Sequence, residues 1–138
     1  MNIIYQWTPE LIEQLHYLYQ NEWWSKERSK EETASCIAGS QICLGVVDAN
    51  GRLQGFSRVV TDYVFKAFIF DVIVAPQSRS LKLGQLLINT IKTHPELQKV
   101  KHFELYCLPE LKAYYGQFGF SDEVSGMGLM RYVNGAQH

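Results

Sequence analysis

Two periods of apolar residues run along this chain, and the points where one gives way to the other outline its elements. The first forty residues carry the helical period. Leu11, Leu15 and Leu18 recur near 3.6 residues, flanked by Ile12 and Tyr19. Ahead of them, Thr8-Pro9-Glu10 supplies an N-cap, a proline at the first helical position and an early acid. A short strand is predicted over residues 1–7. A second helix is predicted over 29–38, because Glu32 follows Ser29 at the spacing of a capping box.

From Ile42 the pattern becomes that of strands. Residues 42–47 and 53–60 read as a hairpin joined by Asp48-Ala49-Asn50-Gly51, with an Asn-Gly turn signal. Residues 65–74 are dense in aromatic and β-branched side chains and read as a third strand. A helix over 83–92 places Leu83, Leu86, Leu87 and Ile91 on one side, and His94-Pro95 ends it. Residues 100–108 read as a strand, 109–117 as a short helix stopped at Gly119, and 128–133 as a final strand. This order predicts a mixed α/β sheet with helices on its faces.

Composition removes several classes of function. The 138 residues are most simply one domain, 1–138, long enough to bury a core. A net charge of −1 lacks the basic excess of a nucleic-acid binder, so no nucleic-acid partner is expected. No apolar run reaches the length of a membrane span and the N-terminus lacks a secretory pattern, so no membrane partner is expected. Cys36, Cys43 and Cys107 are odd in number and widely spaced; a cytoplasmic protein with reduced thiols is the default. His16, His94, His102 and His138 share no metal-ligand spacing, so no metal is expected. A Walker loop and a dinucleotide-type glycine pattern are also missing.

The segment from Val74 to Gly84 points to chemistry. Pro76 stops the strand, Arg79 and Lys82 bring two cations into a short turn, and Gly84 opens the backbone where the next helix begins. Free N–H groups at a helix start, with cations nearby, form an anion site suited to phosphate.

Around that loop the chain resembles the GNAT superfamily of acyl-CoA-dependent N-acyltransferases. The family loop Arg/Gln-x-x-Gly-x-Gly/Ala is matched by Arg79 and Gly84, with Lys82 standing where the family has its first glycine. The family's Tyr followed by Gly-Phe is matched by Tyr115-Gly116-Gln117-Phe118-Gly119-Phe120. Gly55–Asp62 and Asp71–Val74 extend the resemblance through the middle, and Trp23–Arg28 is similar to the N-terminal stretch of a bacterial subset.

The resemblance implies an α+β fold with a mixed, mostly antiparallel sheet. It also implies acetyl transfer from acetyl-CoA to a primary amine by direct attack in a ternary complex. The cofactor would lie where the strand ending at Val74 diverges from the strand ending at Leu108. Backbone groups of Ile73 and Val74 would pair with the pantetheine arm. The N–H groups of Leu81, Lys82, Leu83, Gly84 and Gln85, helped by Arg79, would hold the pyrophosphate. Lys82 would meet a cost of roughly 1 kcal/mol or somewhat more if its position needs a positive φ.

Tyr115 is the candidate acid that protonates the departing thiolate, with Tyr114 as its competitor. Asp71, a charge in an otherwise apolar strand, is either the general base or the partner of Arg58 in a buried ion pair. Strict alternation would set it on the face of Ile69 and Ile73, opposite Phe68, Phe70 and Val72. Asp62 and Glu22 are weaker base candidates. Trp23 and Trp24 either wall the acceptor site by cation–π contact or pack in the core. Two other readings stand beside acetyl transfer: a non-catalytic CoA-binding module, and transfer of a longer acyl group. The acceptor is a small-molecule or peptide amine, and a homodimer is compatible with the fold.

Overall fold

A computed structural model describes residues 1–135; His138 lies outside them. Two compact units are present, Met1–Tyr106 and Cys107–His138.

The first unit is built on a five-stranded sheet in the order β1 (Asn2–Ile4), β2 (Ile42–Val47), β3 (Leu53–Thr61), β4 (Lys66–Val74), β5 (His102–Leu105). Neighbours are antiparallel from β1 to β4, and β4 and β5 are parallel. A parallel pair needs a crossover, and helix α3 (Leu83–Lys92) supplies it. Helices α1 (Pro9–Gln20) and α2 (Lys30–Gly39) fill the connection between β1 and β2.

Local chemistry fixes these ends. The Thr8 hydroxyl accepts the N–H of Leu11, and Pro9 opens α1. Ser29 and Glu32 make the reciprocal bonds of a capping box at α2. In the β2–β3 turn, Asp48 accepts the N–H groups of Asn50 and Arg52, and Gly51 takes φ +74°. Asp62 does the same for the β3–β4 turn, accepting from Val64, Phe65 and Lys66. Those bonds hold its carboxyl below the ordinary range, the role of a turn residue.

The core lies on both faces of the sheet. Leu15, Leu18 and Tyr19 of α1 pack on Cys43, Leu53, Phe56 and Ile73. On the other face α3 buries Leu83, Leu87, Ile88 and Ile91. Leu86, predicted to share that side, is exposed and is replaced there by Ile88.

The largest departure from simple alternation is a bulge in β4. Phe56 faces Ile73 and Arg58 faces Phe70, so Asp71 and Val72 oppose Ser57 alone. Asp71 adopts φ +58°, a left-handed conformation that Asp tolerates better than most residues. The extra residue reverses which side chains look which way. Ile69, paired with Val59, points to the α3 face, whereas Phe70 and Ile73 share the α1 face with Arg58 and Phe56. Asp71 therefore lies with Phe70 and Ile73 and is separated from Ile69.

The second unit begins with a 3-10 segment (Pro109–Leu111) that runs into the short helix α4 (Lys112–Gly116). Residues 128–133 do not form a strand. They are exposed and belong to no sheet among the described residues, and a lone strand without a ladder has little stability.

Candidate functional site

The parallel pairing of β4 with β5 ends at Ile69 opposite Leu105. Strand β4 continues for five residues beyond that point, so the Phe70–Val74 edge is not covered by β5. Backbone donors alternate sides along a strand. Because the Ala75 N–H is given to the Gln54 carbonyl of β3 at 2.8 Å, the Val74 N–H faces the uncovered edge. Both residues expected to pair with a pantetheine arm, Ile73 and Val74, lie on this segment, with Ile73 buried and Val74 half-buried.

Beyond Val74 the chain makes a 3-10 segment (Pro76–Leu81), turns at Lys82 and enters α3. Ser78 is buried and its hydroxyl donates to Gln54 Oε1, which anchors the loop to β3. Lys82 takes φ +57°, ψ +36°, the left-handed geometry usually given to glycine. Leu86 donates to the Lys82 carbonyl at 3.1 Å. The N–H groups of Leu83, Gly84 and Gln85 precede that bond and form the free N-terminal turn of a ten-residue helix. Leu81, Lys82 and Gln85 are exposed and Gly84 is half-buried. Arg79 is also exposed and pairs with Glu22 at 3.0 Å.

Asp71 sits in a ring of donors. Its Oδ2 accepts from Arg28 Nη1 at 2.7 Å, Arg58 Nε at 2.7 Å and the Tyr19 hydroxyl at 2.9 Å. Its Oδ1 accepts from Arg28 Nη2 at 3.3 Å. Burial alone would raise the Asp71 pKa, but the bonds and charges of Arg28 and Arg58 outweigh it and hold the carboxyl below its ordinary value. The same burial, with Asp71 alongside, pushes the Tyr19 hydroxyl far above the usual phenol range. The expected Arg58–Asp71 pair is present. Arg28 and Tyr19 complete the ring, 43 and 52 residues from Asp71 in sequence, where no local motif points to them.

The two tryptophans differ. Trp24 meets the Arg28 guanidinium at 5.4 Å and stands edge-on to Tyr19 at 6.3 Å. Trp23 is 70% exposed, which rules out a core role for it.

Within the second unit, Tyr115 is half-buried, edge-on to Tyr114 at 5.1 Å and to Phe120 at 6.3 Å. Burial, with Tyr114 and Cys107 nearby, pushes its hydroxyl up to about 12, so the phenol keeps its proton at neutral pH. Tyr114 is exposed, and burial raises its pKa as well.

Among the described residues, no cluster of three His, Cys, Asp or Glu side chains is placed to hold a metal. No described helix is long and apolar enough to cross a membrane. Cys36, Cys43 and Cys107 are free thiols, and burial raises Cys43 to about 11, which keeps it unreactive.

Comparison with known proteins agrees with this architecture. An uncharacterized N-acetyltransferase, ycf52, of Pyropia yezoensis is 27% identical over 123 residues, covering 86% of this chain and 70% of the relative. Serotonin N-acetyltransferase 2 of rice is 31% identical over 84 residues, covering 59% of this chain and 42% of the relative. A crystal structure from Xanthomonas campestris pv. campestris, assigned to the GNAT family, superposes with a TM-score of 0.79 at 29% identity. That match covers 96% of this chain and 92% of the other. An aminoglycoside 6'-N-acetyltransferase complexed with coenzyme A shares the fold at a TM-score of 0.62 and 21% identity, over 72% of this chain and 58% of that one. The Acetyltransferase (GNAT) family model matches residues 5–120, and the chain belongs to that family.

Proposed function

We propose that this protein transfers an acetyl group from acetyl-CoA to a primary amine by direct attack in a ternary complex. The observation that carries the proposal is the continuous donor cradle along one stretch of chain. The uncovered edge of β4, with the Val74 N–H turned outward, leads through a buried anchor at Ser78 to the free N–H groups of Leu83, Gly84 and Gln85. An extended pantetheine arm suits the edge and a pyrophosphate suits the helix start. The relative that holds coenzyme A shares the fold and supports this choice of donor.

In the proposed reaction an alkylammonium loses one proton to water, and the amine nitrogen attacks the thioester carbon. The outward N–H of Val74 supports the charge on the carbonyl oxygen. The intermediate collapses with loss of the carbon–sulfur bond. Tyr115 gives its proton to the thiolate and is reprotonated by the proton released from the new amide nitrogen. We assign Asp71 a positioning role in place of proton abstraction, since two guanidiniums and a hydroxyl already occupy its oxygens and its pKa is lowered. Arg79 would exchange Glu22 for a phosphate when the donor binds. Three free thiols suit a reducing cytoplasm.

Lys82 favours the second reading, a non-catalytic CoA-binding module, because a side chain occupies the left-handed turn of the loop. Calorimetry with acetyl-CoA and a thiol-release assay over a panel of amines separate the two. Acetyl transfer predicts binding together with amine-dependent thiol release. Binding without release selects the module, and no binding at millimolar ligand removes both.

A further inference from the structure

We propose that the acceptor amine carries a carboxylate, and that the open N–H groups of Arg28 and Arg58 beside the β4 bulge bind it. This rests on the acetyl-transfer reading and names the substrate class of the same site.

Charge is the starting point. Arg28 and Arg58 bring two positive charges to a single carboxylate, Asp71, whose side chain is only 7% exposed. Tyr19, the other member of the ring, is neutral, so the group keeps one positive charge. Solvent and the acids Glu31 and Glu32 on the neighbouring cleft wall meet part of that charge, and an anion seated directly on the guanidinium edges would meet it at closer range.

Hydrogen bonding locates the vacancy. Arg28 gives Nη1 and Nη2 to Asp71, while Arg58 gives Nε to Asp71 and Nη1 to Ser40 Oγ at 3.3 Å. Arg28 Nε and Arg58 Nη2 have no acceptor among the described residues. Every buried side-chain nitrogen or oxygen among those residues has a partner. These two nitrogens are therefore reachable from outside.

Both guanidiniums are also fixed in orientation. Arg28 lies 4.6 Å from the Tyr19 ring centroid and 5.4 Å from that of Trp24, and Arg58 lies 4.9 Å from that of Phe70. A planar fork held by stacking and by Asp71 loses little freedom when it takes up a carboxylate.

Position connects the anion site to the chemistry. Phe70 and Asp71 begin the β4 segment that β5 leaves uncovered, and Val74 is three residues further along, about 10 Å at the rise of a strand. The guanidinium heads stay on Asp71, so the acceptor and the thioester together would cross that gap. A cleft of about 410 Å³ opens beside Arg28, lined also by Glu31, Glu32, Ser35 and Cys36. Glu32 is committed to the Ser29 N–H at 2.9 Å. With two acids on its α2 wall the cleft as a whole is not cationic. The fixed guanidinium edges, and not net charge, select the anion.

The test uses acceptor pairs that differ by one carboxylate: phenylalanine against phenethylamine, and 4-aminobutyrate against butylamine. Thiol release with saturating acetyl-CoA should give kcat/KM at least tenfold higher for the acid in one pair or both. Arg28→Gln should bring the acid-to-amine ratio of kcat/KM down to within about twofold of unity, whatever happens to the absolute rates. Equal or better use of the plain amine in both pairs overturns the inference, and so does an Arg28→Gln loss that is the same for acid and amine. Should Arg28→Gln not fold, calorimetry on the CoA-loaded wild type decides. N-acetylphenylalanine must bind more tightly than N-acetylphenethylamine, and the reverse order overturns the assignment. Absence of thiol release from these four and from the whole amine panel, with CoA bound, removes the acetyl-transfer reading itself. That outcome is distinct from release without preference.

Discussion

Replacing Asp71 with Asn separates charge from shape at the centre of the first unit. Asn keeps an acceptor and tolerates the left-handed backbone at φ +58°, so the lost carboxylate charge dominates the effect. Each guanidinium lies 2.7 Å from Asp71 Oδ2. The gross attraction is about 6 kcal/mol per pair at an effective dielectric of about 20, and desolvation offsets much of it. Removing one partner of a buried pair typically costs about 3–5 kcal/mol. Arg28 and Arg58 retain 26% and 16% of their side-chain exposure, so water can solvate part of the orphaned charge. The expected loss therefore falls at the lower end, about 3 kcal/mol.

Urea unfolding of wild type and variant measures it, first at pH 7 and then in acid. The folded pKa of Asp71 lies below the unfolded value of about 3.9. Its contribution is thus complete above that value and is lost as pH falls through the lower folded pKa. The gap between the two proteins should be about 3 kcal/mol at pH 7 and should narrow below about pH 4. A gap under about 1 kcal/mol at pH 7, or one that persists unchanged in acid, refutes the reasoning. A variant of native stability whose kcat falls by orders of magnitude would restore Asp71 to the role of general base.

Lys82→Gly should be more stable than Lys82→Ala by about 1 kcal/mol in urea unfolding, because only glycine sits without strain at φ +57°. If the Lys82 ammonium faces the pyrophosphate, both variants should bind CoA several-fold more weakly than wild type, and calorimetry reads that separately from stability. Tyr115→Phe should lower kcat by about 10²-fold or more with CoA affinity little changed. Since the Tyr115 hydroxyl is raised to about 12, wild-type kcat should show no alkaline fall below about pH 10. Gly45→Ala should cost about 1–3 kcal/mol in thermal or urea unfolding. A methyl there would lie 2.9 Å from Ile4 Cδ1 and 3.0 Å from Leu53 Cδ1 and Trp7 Cη2.

Much of the first unit was legible because its signals are local. A cap, a proline and a leucine period place α1; the Ser29–Glu32 spacing places α2; Asn50-Gly51 sets the hairpin; and 83–92 is α3 as predicted. The loop from Val74 to Gly84 was legible for the same reason, since a strand end, a turn and a helix start each carry their own residue chemistry. Residues 128–133 mark where this fails. Their pattern allows a strand, but a strand exists only where a neighbour supplies a ladder.

The sequence by itself therefore determined the helices, the hairpin and the strand–turn–helix loop from Val74 to Gly84. Only the tertiary structure decided what Asp71 touches. A bulge opposite Ser57 moved it away from the face of Ile69, and Arg28 and Tyr19 arrived from distant parts of the chain to surround it. Propensity and periodicity act over a few residues, whereas register and charge pairing depend on which strands and helices meet. The proposed donor cradle is made by consecutive backbone, and the proposed acceptor site by side chains that only packing brings together.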